Sequence, residues 1–157
     1  MPRTARITME NCVYHIITRG NQKQSVFREY SDYEKYLSLL SKYKKRHQFK
    51  LYCFCLMPNH VHLILHIEEP VIVNKILRSL NLSYTRFFNF KYKTVGHLWQ
   101  DRFKSRIIAQ DRYLEECMKY IEGNPLRAGL NWYIEDYPWS SYAFRLKKSI
   151  LVDKLPS

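Results

Sequence analysis

Acidic side chains are scarce in this 157-residue chain: 14 Asp and Glu stand against 26 Lys and Arg, for a net charge of +12. Long apolar runs are missing as well. No stretch of about 18 apolar residues occurs, which argues against a membrane-spanning helix. The opening MPRTARITMENC holds no signal-peptide core, so no secretory signal is expected. Cysteines are few, at positions 12, 53, 55 and 117, with no CxxC pair and no dense disulfide spacing. They read as reduced thiols, and the expected location is the cytoplasm. Repeats and low-complexity tracts are absent too. At this length one domain with a core of its own is expected.

What is abundant is positive charge and aromatic surface. Aromatics make up 15% of the chain, with 13 tyrosines. Cations neutralise phosphates and rings stack on bases, so this mixture suits a nucleic acid. Along the chain, residues 12–18 (CVYHIIT) are β-rich and end at the turn signal Arg19-Gly20-Asn21. Ser31 with Glu34 resembles a capping box, and helical spacing then runs to about His47. Residues 50–56 alternate as a strand, Pro58-Asn59 turns the chain, and His60 to Ile67 forms a second strand, giving a hairpin. A helix over 70–91, a short strand near 103–109 and a helix from Asp111 to about Gly123 follow, the last stopped by Asn124-Pro125. The remainder reads as an irregular tail. The order β-α-β-β-α-β plus one helix predicts an α+β, ferredoxin-like antiparallel sheet with helices on one face.

The stretch MPNHVHLIL carries the chemistry. Residues i and i+2 of a strand share a face, about 6.6 Å apart. His60 and His62 can therefore converge on one ion while Val61, Leu63 and Leu65 enter the core. His66 shares their face but lies about 13 Å beyond His62, too far for the same ion. In YLEECMKYIEGNP, Glu116, Tyr120 and Asn124 form one helical stripe beside the apolar Leu114, Cys117, Met118 and Ile121. A phenol and an amide oxygen one turn apart can approach an ion held by the histidines. That set suits phosphoryl transfer, with a tyrosine as covalent nucleophile and a cation offsetting charge on the phosphate. Each residue also has an ordinary reading: surface histidines, a packing tyrosine, and a helix-capping Asn124.

Taken together these motifs resemble the single-tyrosine HUH transposases, and within them the REP-associated tyrosine transposases. MPNHVHLIL matches the HUH motif and YIEGNPLRAGL the nucleophile helix. MPRTAR, YHIITRGN, GHLWQDRFKS and YPWSSY match in the same order, so the resemblance runs from residue 1 to about 145, with 146–157 as a tail. The resemblance implies a metal-dependent single-stranded DNA endonuclease and strand transferase acting beside hairpins through a 5′-phosphotyrosine. It implies Mg²⁺ or Mn²⁺ on His60 and His62, and Tyr120 as nucleophile. The mobile branch carries Gln where this chain has Asn124, so the third ligand is Asn124, Glu116 or water. Monomer and homodimer are both open.

For DNA contact the candidates are Arg3, Arg6, Arg19, Arg102, Lys104 and Arg106 on phosphates, and Trp99, Phe103 and Trp139 on bases, with core packing at least an equal reading for Trp99 and Trp139. Lys44-Lys45-Arg46 is a further basic run, or only a solvated helix end. Two rival readings stand beside this one. Cys53, Cys55, His60 and His62 have the ligand types of a structural zinc site, although C-x-C-x₄-H-x-H is not a common finger spacing. A non-catalytic single-stranded RNA-binding module is the other, although the RNP signature is absent.

Overall fold

The computed structural model describes residues 11–69, 71–109 and 111–155. Four antiparallel strands form one sheet in the order β2-β3-β1-β4. They are β1 (Cys12–Arg19), β2 (Lys50–Met57), β3 (His60–Ile67) and β4 (Lys104–Ile108). Helices α1 (Tyr30–His47) and α2 (Val71–Tyr92) connect them in the β-α-β-β-α-β order, and α3 (Asp111–Glu122), α4 (Asn124–Arg127) and α5 (Ser141–Leu146) follow. This is the expected ferredoxin-like architecture.

Strand alternation divides the sheet into two unlike faces. Tyr14, Ile16 and Thr18 of β1, with Val61, Leu63 and Leu65 of β3, are all buried on one side. Helices α1 and α2 pack on each other there. Their buried residues recur at helical spacing, as in Tyr36, Leu37, Leu40 and Tyr43 of α1. The other face carries His15, Ile17 and Arg19 from β1, His60 and His62 from β3, and Lys104 and Arg106 from β4. The pairing register sets this: His60 lies opposite Arg19 and Met57, and His62 lies opposite Ile17 and Cys55. His15 lies opposite Ile64 and Arg106.

The β2–β3 hairpin turns through Pro58-Asn59, and its tip is tied to the end of β1. The Gly20 amide donates to the Asn59 carbonyl at 2.8 Å, and the Val26 amide to the Pro58 carbonyl at 2.7 Å. Gly20 permits this approach, since a Cβ there would sit 2.5 Å from the Gln24 carbonyl oxygen and 2.9 Å from Val26 Cγ1. His60 is the first residue past this fixed turn.

Helix α1 starts earlier than expected. The capping box is formed by Glu29 and Asp32 rather than Ser31 and Glu34. Asp32 is fully buried and accepts from the Arg28 and Glu29 amides at 2.9 and 3.1 Å, and from Lys91 Nζ at 2.6 Å. Lys91 and Tyr92, at the end of α2, both donate to this carboxylate, so one buried charge joins the two helices.

The tail is more ordered than its composition suggests. Residues 141–146 form α5, and Trp139 accepts from the Leu56 amide through its carbonyl at 2.9 Å. The Asp153 amide donates to the Leu51 carbonyl at 2.8 Å, while Asp153 Oδ2 accepts from the Leu51 amide at 2.9 Å and pairs with Lys44 at 2.9 Å. The open edge of β2 is thereby covered, which satisfies ladder groups that would otherwise face a second chain.

Helix α3 lies on the histidine face and is held at its C-terminal end. Glu122 is buried and accepts from Ser141 Oγ at 2.6 Å and from Arg145. A buried carboxylate with these partners fixes where the helix stops. Glu122→Ala removes the acceptor that Arg145 and Ser141 share, and we expect a loss of about 3 kcal/mol. Urea unfolding checks this, and an unchanged midpoint contradicts the anchoring role.

Candidate active site

A cleft of about 740 Å³ lies between the histidine face and α3. His15, Arg19, His60, His62, Lys104 and Arg106 line it from the sheet. Tyr113, Glu116, Cys117, Tyr120 and Asn124 line it from the helical side. The predicted stripe on the helix thus faces the predicted pair on the strand. Tyr120 is 60% exposed, whereas His62 is 5% exposed at the floor. Leu114 and Ile121 are buried beneath the helix, as the amphipathic pattern requires.

The imidazoles are held by neighbours. His60 Nδ1 lies 2.7 Å from Asn59 Oδ1, the second residue of the fixed turn. With that oxygen as acceptor, Nδ1 carries the hydrogen and Nε2 keeps its lone pair. His62 Nδ1 lies 3.1 Å from His15 Nε2, and His15 Nδ1 lies 3.7 Å from Cys117 Sγ. This chain can run in either direction. Run from His62 towards Cys117, it leaves His62 Nε2 with a free lone pair. The His60 and His62 ring centroids are 5.0 Å apart.

Burial and nearby cations keep the rings neutral. Burial, helped by Arg19, pulls His60 down to about 4. Burial, then the neighbouring His60, His15, Arg19 and Arg127, pulls His62 down to about 3. His15 is lowered by burial and by Arg106. At neutral pH these rings are lone-pair donors within a ring of Arg and Lys side chains, an arrangement that favours an anion alongside.

The helical partners carry ties of their own. Glu116 is exposed and lies 3.6 Å from Arg112. The Arg127 guanidinium sits 4.0 Å from the centroid of the Tyr120 ring and donates to Asn124 Oδ1. His15, Tyr113 and Arg127 were not singled out in the sequence, and Cys117 was read only as part of the apolar stripe. Tyr113 and Cys117 could have been found by extending the Tyr120–Asn124 stripe towards the helix start. His15 could not, because its place beside His62 depends on strand register.

The remaining candidates separate. Arg19, Lys104 and Arg106 are exposed at the cleft. Arg102 is exposed in a second groove, with Arg78 and Asn81. Arg3 and Arg6 lie outside the described residues. The three base-stacking candidates, Trp99, Phe103 and Trp139, are all buried, which favours the core reading. Trp99 Nε1 donates to the Asn81 carbonyl at 3.3 Å, and Trp139 stacks on Tyr33 at 4.8 Å. These rings are engaged mainly in packing, and Trp99 and Phe103 also line the groove that holds Arg102. His66 bonds Asn11 at 2.7 Å, away from the pair, as its distance along the strand requires.

The geometry defines a ferredoxin-like domain with a histidine pair and a tyrosine helix across one cationic cleft. Residues 8–124 match the family of IS200-like transposases, and the chain belongs to that family. A Haemophilus influenzae protein named for the REP-associated tyrosine transposases is 26% identical over 117 residues. That match spans 68% of this chain and 66% of the relative, just under two thirds of its length. A solved REP-associated tyrosine transposase bound to a REP hairpin has 15% identity and a TM-score of 0.73, covering 100% of both chains. A Deinococcus radiodurans protein assigned as a transposase is also similar in fold, with 17% identity and a TM-score of 0.53 over 78% of this chain and 97% of the other. The kinship expected from the motifs is borne out.

The lowered histidines tie stability to pH. Unfolded imidazoles take up protons below about 6.5, whereas His60 and His62 in the fold resist until about 4 and 3. Between those limits the unfolded chain binds more protons, so stability should fall steadily as pH drops from about 6.5 towards 4. His62→Asn should flatten that slope, as read by denaturant midpoints across the range. An identical slope in the variant contradicts the buried neutral state.

Proposed function

We propose that this protein cleaves and rejoins single-stranded DNA beside hairpins through a 5′-phosphotyrosine on Tyr120. The observation that carries this reading is the shared cleft: two neutral imidazoles on the sheet face an exposed tyrosine on α3. The phenol oxygen attacks phosphorus and gives its proton to solvent, the bond to the 3′ oxygen breaks, and that oxygen takes a proton from solvent and leaves as a hydroxyl. A DNA 3′-hydroxyl reverses the step and releases Tyr120. No nucleotide cofactor is consumed, because the phosphotyrosine retains the energy of the broken diester.

The donors present fit a divalent cation such as Mg²⁺ or Mn²⁺. The Asn59 contact frees Nε2 of His60, and the His15 contact does the same for His62 when His62 Nδ1 is the donor. Among the described residues no group of three or more His, Cys, Asp or Glu side chains is placed to hold a metal. A hard cation that keeps several waters tolerates a two-imidazole seat, with Asn124 or Glu116 at hand from the helix. When bound, such an ion supplies charge that offsets what develops on the phosphate oxygens. Arg19, Lys104 and Arg106 draw the DNA backbone to the same cleft. The hairpin named in the solved relative's description supports the same class of DNA for this chain.

The rival sites fare worse. Cys53 and Cys55 share the histidine face, but burial raises both thiols, Cys55 to about 12. Cys53 Sγ lies against Glu122 at 3.7 Å, under α3. Cys53 is thereby engaged by a carboxylate at the helix end and not by the histidine pair. An RNA-binding module of the open-sheet type needs a free sheet face, and here α3 occupies the one that α1 and α2 leave.

Incubated with Mn²⁺ and a single-stranded hairpin oligonucleotide, the protein should form an adduct that survives denaturing electrophoresis. Tyr120→Phe should abolish the adduct while leaving binding unchanged. His60→Ala and His62→Ala should each lower its rate by about 100-fold or more. An adduct that persists in Tyr120→Phe overturns the assignment.

A further inference from the structure

Arg127 lies on α4, one turn past the end of the tyrosine helix. Its Nη2 donates both to the Tyr120 carbonyl and to Asn124 Oδ1. Its guanidinium carbon stands 4.0 Å from the centroid of the Tyr120 ring, the placement of a cation over a π face. The side chain therefore folds back over the helix end, touching the nucleophile residue at both backbone and ring.

Gly123 sits against the same side chain. Its φ of −83° suits any residue, so backbone conformation does not require glycine there. A Cβ at 123 would sit 2.8 Å from Arg127 Nη1, so the guanidinium would have to move, and 3.2 Å from the Lys119 carbonyl oxygen. The missing side chain is the room in which the guanidinium lies.

The consequence for Asn124 is direct. An amide offers an ion only its oxygen, and that oxygen already accepts from a cation. To serve a metal it must either share its lone pairs with two positive charges or release Arg127 from the helix end. We propose that Arg127 is the positioning residue for the Tyr120 phenol, and that Asn124 anchors Arg127 rather than ligating the ion. This rests on the phosphotyrosine reading above. The third place in the ion's shell then falls to water or to Glu116. A planar fork with several fixed N–H groups can hold a carbonyl, an amide and a ring together, which a lysine ammonium cannot.

The test uses the full chain with Mn²⁺ and the single-stranded hairpin oligonucleotide. Asn124→Ala should bind Mn²⁺, by calorimetry without DNA, within about twofold of the parent, while adduct formation slows about 10- to 100-fold, as for loss of an orienting partner. Arg127→Ala should show the same split, and Arg127→Lys should not rescue it. Gly123→Ala retains both side chains but crowds the guanidinium, and it should share the loss. In protein labelled with fluorotyrosine, the resonance assigned through Tyr120→Phe should shift in Asn124→Ala, Arg127→Ala and Gly123→Ala. That readout does not depend on catalysis. A drop of about tenfold or more in Mn²⁺ affinity for Asn124→Ala makes Asn124 a ligand and overturns the proposal. So does an unmoved Tyr120 resonance in Arg127→Ala. If the parent forms no adduct, or Tyr120→Phe still forms one, the phosphotyrosine reading fails instead, and the calorimetry and the resonance still decide the roles of Asn124 and Arg127.

Discussion

The register of β3 between β1 and β2 is the constraint on which this molecule depends. A shift of one residue would exchange the two faces, sending His60 and His62 into the apolar layer and Val61 and Leu63 beneath α3. The hairpin tip guards against such a slip. It is bonded to Gly20 and Val26 on one side, and Gly20 has no room for a side chain. From that fixed point the pairing carries His62 to Ile17 and His60 to Arg19, and brings His15 within 3.1 Å of His62. The neutral state of the rings then follows from their depth and from the cations beside them.

Two buried carboxylates do the complementary work on the helices. Asp32 joins the start of α1 to the end of α2 through Lys91 and Tyr92. Glu122 joins the end of α3 to α5 through Ser141 and Arg145. Each is a cost to the fold unless partnered, and each accepts hydrogen bonds from the neighbouring element and forms an ion pair with it. Their effect is positional: Asp32 closes the apolar layer, and Glu122 fixes the end of the helix that carries Tyr120. The C-terminal segment, held by Asp153 against β2, contributes to the same frame. Tyr120 itself stays exposed at the rim, where a DNA strand can reach it.

Much of this was legible in the order of residues, and the reasons are local. Alternation in HVHLILHI separates a chemical face from a packing face without any partner strand. The apolar spacing of 114, 117, 118 and 121 orients Tyr120 relative to the sheet. What needed coordinates was everything that depends on long-range pairing or on competition for burial. His15 is one of several polar residues in a strand until the register places it against His62. Base stacking stood open for Trp99, Phe103 and Trp139, with core packing at least an equal reading for the two tryptophans, because composition does not record which rings the core takes. Ser31 with Glu34 satisfied the capping pattern, yet the buried pairing of Asp32 with Lys91 favoured a start two residues earlier. Arg127 lies within the YIEGNPLRAGL motif but had no role assigned, since its contacts arise only where α3 gives way to α4.

The central claim is that one phenol, Tyr120, takes the phosphate in a cleft floored by His60 and His62. Mass spectrometry of proteolysed protein–DNA adduct tests it most directly. The account predicts a nucleotide-bearing peptide containing Tyr120, with the phosphate on the phenol oxygen. A modified peptide from elsewhere in the chain, with the Tyr120 peptide unmodified, would contradict it.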